Sequence, residues 1–107
     1  MLNKAIVMGR LTRDPELRRT PNDIAVTGFT LAVDRGFAKQ GEEKHTDFLD
    51  IVAWRQTAEF VCKYFKKGMQ VAVVGSIQSR TWKDKEDKNH KTVEIIADEV
   101  KGKMKMR

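Results

Sequence analysis

The feature that most constrains the fold is the spacing of apolar residues, which alternates with a period of two along most of the chain. Such alternation predicts strands with one buried face and one exposed face. It recurs in five segments, at residues 3–11, 24–34, 47–54, 69–82 and 91–104. One segment, residues 55–67, instead has the spacing of a helix, with apolar positions at Ala58, Val61, Cys62 and Phe65. The element order is therefore three strands, one helix and two strands.

The predicted strands are long, and two of them contain an internal glycine, Gly28 and Gly75. A glycine within a strand indicates a bulge or a sharp bend, which lets a sheet curl. Five strands with a helix between the third and fourth are typical of the OB-fold. We therefore predict an all-β protein, a five-stranded Greek-key barrel with one α-helix between strands 3 and 4. An SH3-like barrel is the main alternative, although it rarely has a three-turn helix at that point.

Polar segments separate the predicted elements. Residues 36–46 are predicted to form a mobile hairpin loop, and residues 83–90 a flexible, mixed-charge loop. The helix is expected to run to Lys67, with Gly68 as its C′ residue. The sequence shows no linker and no internal repeat, so residues 1–107 are predicted to form one domain.

Charge and cysteine content restrict the cellular setting and the partner. The net charge is +6, and residues 51–107 carry the whole excess, which favours a polyanionic partner. The single cysteine, Cys62, excludes an internal disulfide and fits a reducing compartment. No apolar run reaches the ~20 residues of a membrane span. We predict a cytoplasmic, nucleoid-associated protein without a membrane segment.

Both tryptophans stand beside cations rather than inside apolar runs. Trp54 precedes Arg55, and Trp82 follows Arg80 by two residues and precedes Lys83. This pattern suits a surface on which nucleobases stack on the rings while the cations hold phosphates. Cation–π pairing and ordinary surface packing are the alternatives. Phe48 lies six residues before Trp54 on one strand, so the two rings are predicted to share a face.

No catalytic arrangement is recognisable in the sequence. His45 and His90 are isolated in polar segments, and no His/Cys spacing suits zinc. Asp47 and Asp50 are three residues apart on a strand, so they are expected to face opposite sides. There is no glycine-rich phosphate loop between a strand and a helix. We predict a protein that is not an enzyme and has no metal site and no cofactor.

Several runs together resemble one family, the bacterial single-stranded DNA-binding proteins. They follow the family order and spacing and cover nearly the whole chain, at residues 3–18, 29–37, 54–59, 67–75, 80–82 and 94–98. The resemblance implies an OB-fold that assembles as a homotetramer, with a dimer as the alternative. It also implies wrapping of single-stranded DNA without sequence preference, in replication, recombination and repair.

The resemblance assigns base stacking to the aromatic residues Phe37, Phe48, Trp54 and Trp82. Burial in the core is the alternative for Phe37 and Phe48. Arg80 matches a basic position of the family. The full set of candidate phosphate contacts, each with a solvated surface charge as its alternative, is Lys4, Arg10, Arg18, Arg35, Lys39, Arg55, Lys67, Arg80 and Lys83.

The sequence departs from the family pattern at two places. Relatives usually continue into a flexible tail with an acidic tip that recruits replication and repair proteins, whereas this sequence ends in the basic residues 103–107. Recruitment through such a tip is therefore in doubt. Arg19 occupies a position where many relatives have an aromatic residue, so that a stacking ring is lost and a charge is gained.

Three other functions compete with this interpretation. A primosome accessory protein on the same barrel would be an adaptor with residual DNA affinity, but such relatives lack most of the stacking aromatics. An RNA-binding protein of the cold-shock type would be shorter, with aromatics clustered on adjacent strands. A small nuclease would need a catalytic site, which the sequence does not offer.

Overall fold

The computed structural model describes residues 1–36, 40–41 and 43–102. Over these residues the chain forms six strands and one helix. Their bounds are β1 (Ala5–Leu11), β2 (Arg18–Arg19), β3 (Ala25–Asp34), β4 (Thr46–Trp54), α1 (Arg55–Tyr64), β5 (Gln70–Lys83) and β6 (Asn89–Gly102). The five long strands are the five that the alternation predicts, and β2 is a short addition. Phe37 and Lys39, both predicted to contact DNA, lie outside the described residues.

The strands close into a barrel. Their order is β1-β5-β6-β4-β3-β2, and β1 also pairs with β3, which joins the two sides of the sheet. All pairings are antiparallel except β4 with β6, where Ile51 and Val52 face Ile95 and Ile96 in parallel. The helix lies between β4 and β5, the third and fourth barrel strands. The prediction of an OB-fold is therefore confirmed.

The barrel interior contains the apolar residues of one face of each long strand. On β3, for example, Ala25, Phe29 and Leu31 are buried at alternate positions. Helix α1 closes the core with Ala58 and Val61, and Phe65, the residue that follows it, adds its ring. Thr27 is the one buried polar side chain among the described residues. Its Oγ1 donates a hydrogen bond to the Glu16 carbonyl oxygen at 2.8 Å, which removes the cost of burying a hydroxyl.

Of the two internal glycines, only Gly75 lies at a β-bulge. The β5–β6 register shifts between Val74 and Gly75, as in a β-bulge, and a Cβ at Gly75 would overlap the Ile96 carbonyl. The β3–β4 register instead continues without a break through Gly28, which faces Val52. The prediction of a bulge at Gly28 is therefore wrong. A Cβ there would lie 3.8 Å from the Ile51 carbonyl oxygen, an ordinary van der Waals distance, so a small side chain would fit.

The end of the helix also differs from the prediction. Helix α1 ends at Tyr64 rather than Lys67, because Phe65 turns to extended backbone, with φ −111° and ψ 142°. This turn buries the Phe65 ring in the core, where it is 6% exposed. Gly68 has a φ of 86° but lies in the following turn and not at the C′ position. Within the described part of the chain, no helix has the length and apolar character needed to cross a membrane.

Candidate nucleic-acid interface

The outward side of β4 carries two exposed aromatic rings. Phe48 is 66% exposed and Trp54 is 42% exposed, although both are large apolar side chains. Leu49, Ile51 and Ala53 alternate with them and point towards the core. The two rings therefore share one face, as the even spacing predicts, and the alternative of a core position for Phe48 is wrong. We call this side of β3, β4 and the adjoining strands the outer face.

The neighbouring strand keeps the space around these rings open. Across from the outward residues of β4, strand β3 places small or short side chains, so that no bulky group covers the rings. The facing pairs are Ala32 with Phe48, Thr30 with Asp50, Gly28 with Val52 and Val26 with Trp54. Residues directly opposite in a sheet point to the same side. The outer face is consequently a shallow surface from which the two rings project, which suits flat ligands.

Each of the two rings on β4 has an arginine two strands away, at the directly opposite position across the sheet. Arg10 on β1 pairs with Ala32, and Ala32 pairs with Phe48. Arg18 on β2 stands in the same relation to Trp54. With strands about 4.8 Å apart, each cation begins about 10 Å from the backbone of the aromatic residue. We call these two lines the cross-strand rows: Arg10–Ala32–Phe48 and Arg18–Val26–Trp54.

The β5–β6 hairpin extends the outer face with a third ring. Trp82 and Arg80 lie two residues apart on β5 and face His90 and Thr92 of β6. Following the register through Ser76, Ile96 and Val52 places them on the same side of the sheet as Phe48. Trp82 is 42% exposed, and its Nε1 donates a hydrogen bond to Thr92 Oγ1 at 2.9 Å. The indole is therefore fixed in orientation while part of its surface stays open.

Two of the arginines predicted to contact phosphates are hydrogen-bonded to carboxylates. Arg35 donates two hydrogen bonds to Asp47, which raise the pKa of Arg35 and lower the pKa of Asp47. Arg80 Nε donates to Glu94 Oε1 at 3.1 Å, and the Glu94 side chain is only 10% exposed. Each pair carries no net charge, so these two arginines attract phosphates less than the sequence alone suggests.

The other predicted cations are distributed around the barrel. Lys83 forms an exposed ion pair with Asp87 at 3.6 Å. Lys67 lies in the turn after α1, where its backbone N–H donates to Asp14 Oδ1 at 2.7 Å. Lys4 lines a mainly apolar groove of about 330 Å³, beside Ile6 and Ile77. Lys4 and Lys67 are thus not brought into the cross-strand rows.

Arg55 occupies an unusual position beside Trp54. It is the first residue of α1 and has a φ of 58°, a conformation that non-glycine residues rarely adopt. Together with Trp54 and Arg19 it lines an open depression of about 560 Å³. Arg19 there pairs with Glu59 at 3.5 Å and with Asp23 at 3.8 Å. The charge that Arg19 brings in place of an aromatic residue is therefore largely neutralised.

Comparison with known proteins identifies the family. A profile of the "Single-strand binding protein family" matches residues 2–103. The chain belongs to the single-strand binding protein family. Its resemblance to this family, which the sequence runs indicate, is thereby confirmed over almost the whole chain. Among the residues that the structure describes, no group of three or more His, Cys, Asp or Glu side chains is placed to hold a metal ion.

Three bacterial relatives in the family are similar at 46–50% identity, and each is named a single-stranded DNA-binding protein. The protein of Caldanaerobacter subterraneus is 50% identical over 101 residues, or 94% of this chain and 67% of the relative. The protein of Halalkalibacterium halodurans is 48% identical, and the match covers 94% of this chain and 60% of the relative. The protein of Bacillus cereus is 46% identical, and the match covers 94% of this chain and 59% of the relative. The chain thus spans about three-fifths to two-thirds of the length of these single-strand binding family members.

The tip of the β5–β6 hairpin in this family member holds a contact that the sequence did not predict. The loop predicted at residues 83–90 is shorter, because β5 extends to Lys83 and β6 begins at Asn89, which leaves a turn at residues 84–88. His90, interpreted as isolated, stacks on Trp82 with ring centroids 4.5 Å apart and planes 20° apart. The signal was available in the sequence: Trp82 and His90 lie at equal distances on either side of a short polar turn centred on Glu86.

Proposed function

We propose that this protein binds single-stranded DNA without sequence preference, as a non-catalytic protein that protects exposed strands. The two cross-strand rows carry the proposal. Each row joins an exposed ring, on which a base can stack, to an arginine that can reach a phosphate of the same strand. The whole sequence, residues 1–107, is proposed to act as one binding domain.

Stacking accounts for the lack of sequence preference and for the choice of single strands. Every base has a π-face, and each base–aromatic stack contributes about 1–3 kcal/mol. Phe48 and Trp54 are six residues apart, which corresponds to about 20 Å along the strand. Several splayed nucleotides can span that distance. The bases of a duplex are already stacked and paired, so they cannot lie on these rings without melting.

Electrostatics supplies the second contribution. In the described part of the chain, neither Arg10 nor Arg18 has a carboxylate within ion-pair distance, unlike Arg35 and Arg80. Each phosphate contact to a single strand lowers the logarithm of the affinity by about 0.7 per tenfold rise in salt. Arg10 and Arg18 are therefore proposed as the principal phosphate contacts. Arg55, Lys4, Lys67 and Lys83 are proposed as weaker ones.

Self-association is proposed because β1 presents an apolar outer side and an open edge. Ile6 is 72% exposed and Met8 is 57% exposed. On one edge β1 pairs with β5 along residues 5–10, whereas on the other it pairs with β3 only at Arg10 and Leu11. An unpaired edge with apolar side chains is a template for a strand of another chain. We propose a homotetramer, with a dimer as the alternative, in which one DNA strand crosses several barrels.

The cellular role follows from binding single strands alone. A protein that binds the single strand but not the duplex shifts the melting equilibrium towards the open form by mass action. It would thus remove hairpins and protect DNA exposed in replication, recombination and repair. The +6 charge and the single cysteine fit action on DNA in a reducing compartment, the cytoplasm. Recruitment of other proteins is not part of this proposal.

A titration of intrinsic tryptophan fluorescence with poly(dT) tests the proposal. Both tryptophans of the chain lie on the outer face, so stacked bases are expected to quench most of the emission. The affinity should fall as salt rises, and duplex DNA of the same length should bind much more weakly. Equal quenching by duplex and single-stranded DNA, or an affinity independent of salt, would contradict the proposal.

A further inference from the structure

The tip of the β5–β6 hairpin contains a built stack of two rings. His90 lies directly opposite Trp82, and the two rings are nearly parallel, with centroids 4.5 Å apart. The imidazole covers one face of the indole. The hydrogen bond from Trp82 Nε1 to Thr92 Oγ1 fixes the indole in its plane. Since the indole remains 42% exposed, its surface is still open for a further stacking partner.

One carboxylate holds this stack in place. Asp84 Oδ2 lies 2.7 Å from His90 Nε2. Its other oxygen, Oδ1, accepts hydrogen bonds from the backbone N–H groups of Glu86 and Lys88 at 2.9 and 3.0 Å. The Asp84 N–H in turn donates to the Lys88 carbonyl oxygen at 3.0 Å. A single side chain therefore ties the turn to the imidazole, and the imidazole to the indole.

We propose that Asp84 and His90 are positioning residues that hold Trp82 ready for a base, and that protonation of His90 strengthens the binding of single-stranded DNA. This proposal rests on the proposed function and concerns the same outer face. The stacked imidazole of His90 restricts the Trp82 indole in the free protein, so the indole loses less rotational freedom when DNA binds.

The pH dependence follows from the charges around the imidazole. Hydrogen bonds from His90 and from the turn lower the pKa of Asp84, so its carboxylate stays charged near neutral pH. With a neutral imidazole the Asp84–His90 pair carries one negative charge, which repels phosphates. A protonated imidazole cancels that charge. DNA affinity should therefore be higher in acid, where the imidazole carries a proton, than in alkaline solution.

Most other charged groups near His90 are paired, whereas Lys85 of the turn and Lys91 beside His90 have no ion-pair partner among the described residues. Arg80 and Glu94 lie further along the same side of the hairpin and bond to each other at 3.1 Å. Glu86 and Lys88 of the turn pair at 3.6 Å. Lys83 pairs with Asp87 across the turn. The change in charge at this tip near neutral pH is therefore assigned to His90.

Fluorescence of the free protein tests the stack without any DNA. In a Trp54→Phe background Trp82 is the only tryptophan, and a protonated imidazole in contact with an indole quenches its emission. Emission should therefore fall in one step as pH decreases from about 8 to about 5.5. The step should disappear in His90→Gln and persist in His45→Gln, which changes the one other histidine. A step that survives His90→Gln would overturn the assignment.

DNA binding at the same pH values tests the functional part, with both tryptophans restored. Affinity for poly(dT) should rise about twofold to fivefold from high to low pH in the unmodified chain and in His45→Gln. It should stay flat in His90→Gln. Asp84→Asn should weaken binding at high salt, where screening removes the effect of the lost negative charge and only the lost positioning remains. If the affinity of His90→Gln for poly(dT) depended on pH as in the unmodified chain, the inference would be overturned, although the proposed binding of single-stranded DNA would be unaffected. Absence of poly(dT) binding in the unmodified chain would instead refute the proposed function.

Discussion

Arg35 donates two parallel hydrogen bonds to Asp47, from Nε at 2.9 Å and from Nη2 at 2.8 Å. The pair spans the facing ends of β3 and β4, next to the pairing of Val33 with Asp47. Two-point contacts of this kind are the stronger class of charge-assisted hydrogen bonds. A cation that the sequence offers for DNA is thus engaged by the protein itself.

Asp47→Asn is expected to release Arg35 towards DNA. Without the carboxylate the Arg35 guanidinium is free to contact one additional phosphate. The affinity for poly(dT) should therefore rise, and the slope of log affinity against log salt should steepen by about 0.7. Titration at three salt concentrations measures both quantities. Asp98→Asn is the matched control, because Asp98 is exposed and has no ion-pair partner among the described residues. An equal steepening in both variants would show a general charge effect only.

The same ion pair should make stability depend on pH in a defined direction. The pKa of Asp47 is lowered in the folded state, mainly by its hydrogen bond from Arg35. Its stabilising contribution is therefore complete above the ordinary aspartate pKa of 3.8 and is lost as pH falls through the lower, folded value. The melting temperature of the unmodified chain should exceed that of Asp47→Asn at neutral pH, and the difference should shrink as pH falls below 3.8. A difference that widens in acid would contradict this.

Gly75→Ala should destabilise the barrel, whereas Gly28→Ala should not. A Cβ at Gly75 would overlap the Ile96 carbonyl at the β-bulge, and relieving the overlap costs about 1–3 kcal/mol. A Cβ at Gly28 meets nothing closer than 3.8 Å, so stability there should change by about 0.5 kcal/mol or less. Denaturant unfolding of the two variants provides the comparison, and equal losses would contradict the assigned role of the bulge.

Ile6→Lys should reduce the oligomer to smaller species. It places a charge on the apolar outer side of β1, which the proposed assembly buries. Leu17→Lys is the control, because Leu17 is 41% exposed but lies in the loop before β2 and not on the open edge. Light scattering coupled to size-exclusion chromatography measures the mass. If both variants keep the mass of the unmodified chain, self-association through β1 is refuted.

Local sequence patterns were sufficient for the barrel and for the faces of its strands. The alternation around Phe48 and Trp54 predicted their shared exposed side, because a strand has a period of two whatever its partners are. The end of α1 at Tyr64 was missed, because it depends on where the core admits the Phe65 ring. Whether Gly28 or Gly75 lies at a bulge likewise depends on how closely the neighbouring strand approaches, which the local sequence does not show.

The partners of the cations could not be predicted from sequence. Arg35 and Asp47 are twelve residues apart, and Arg80 and Glu94 are fourteen apart, so each pair depends on the register between two strands. The cross-strand rows depend on two registers at once, since Arg10 reaches the line of Phe48 only through Ala32. The net charge of the sequence does not distinguish these cations. In the folded chain Arg35 and Arg80 are paired with carboxylates, whereas Arg10 lies in the row of Phe48.

Poly(dT) titration of three aromatic variants tests the central claim most directly. Phe48→Ala and Trp54→Ala each remove a ring from the outer face, and each should weaken binding by about 1–3 kcal/mol. Tyr64→Ala removes a ring that is 53% exposed on helix α1, away from that face, and should leave binding unchanged. Equal losses in all three variants, or no loss in Phe48→Ala and Trp54→Ala, would contradict base stacking on the outer face of β4.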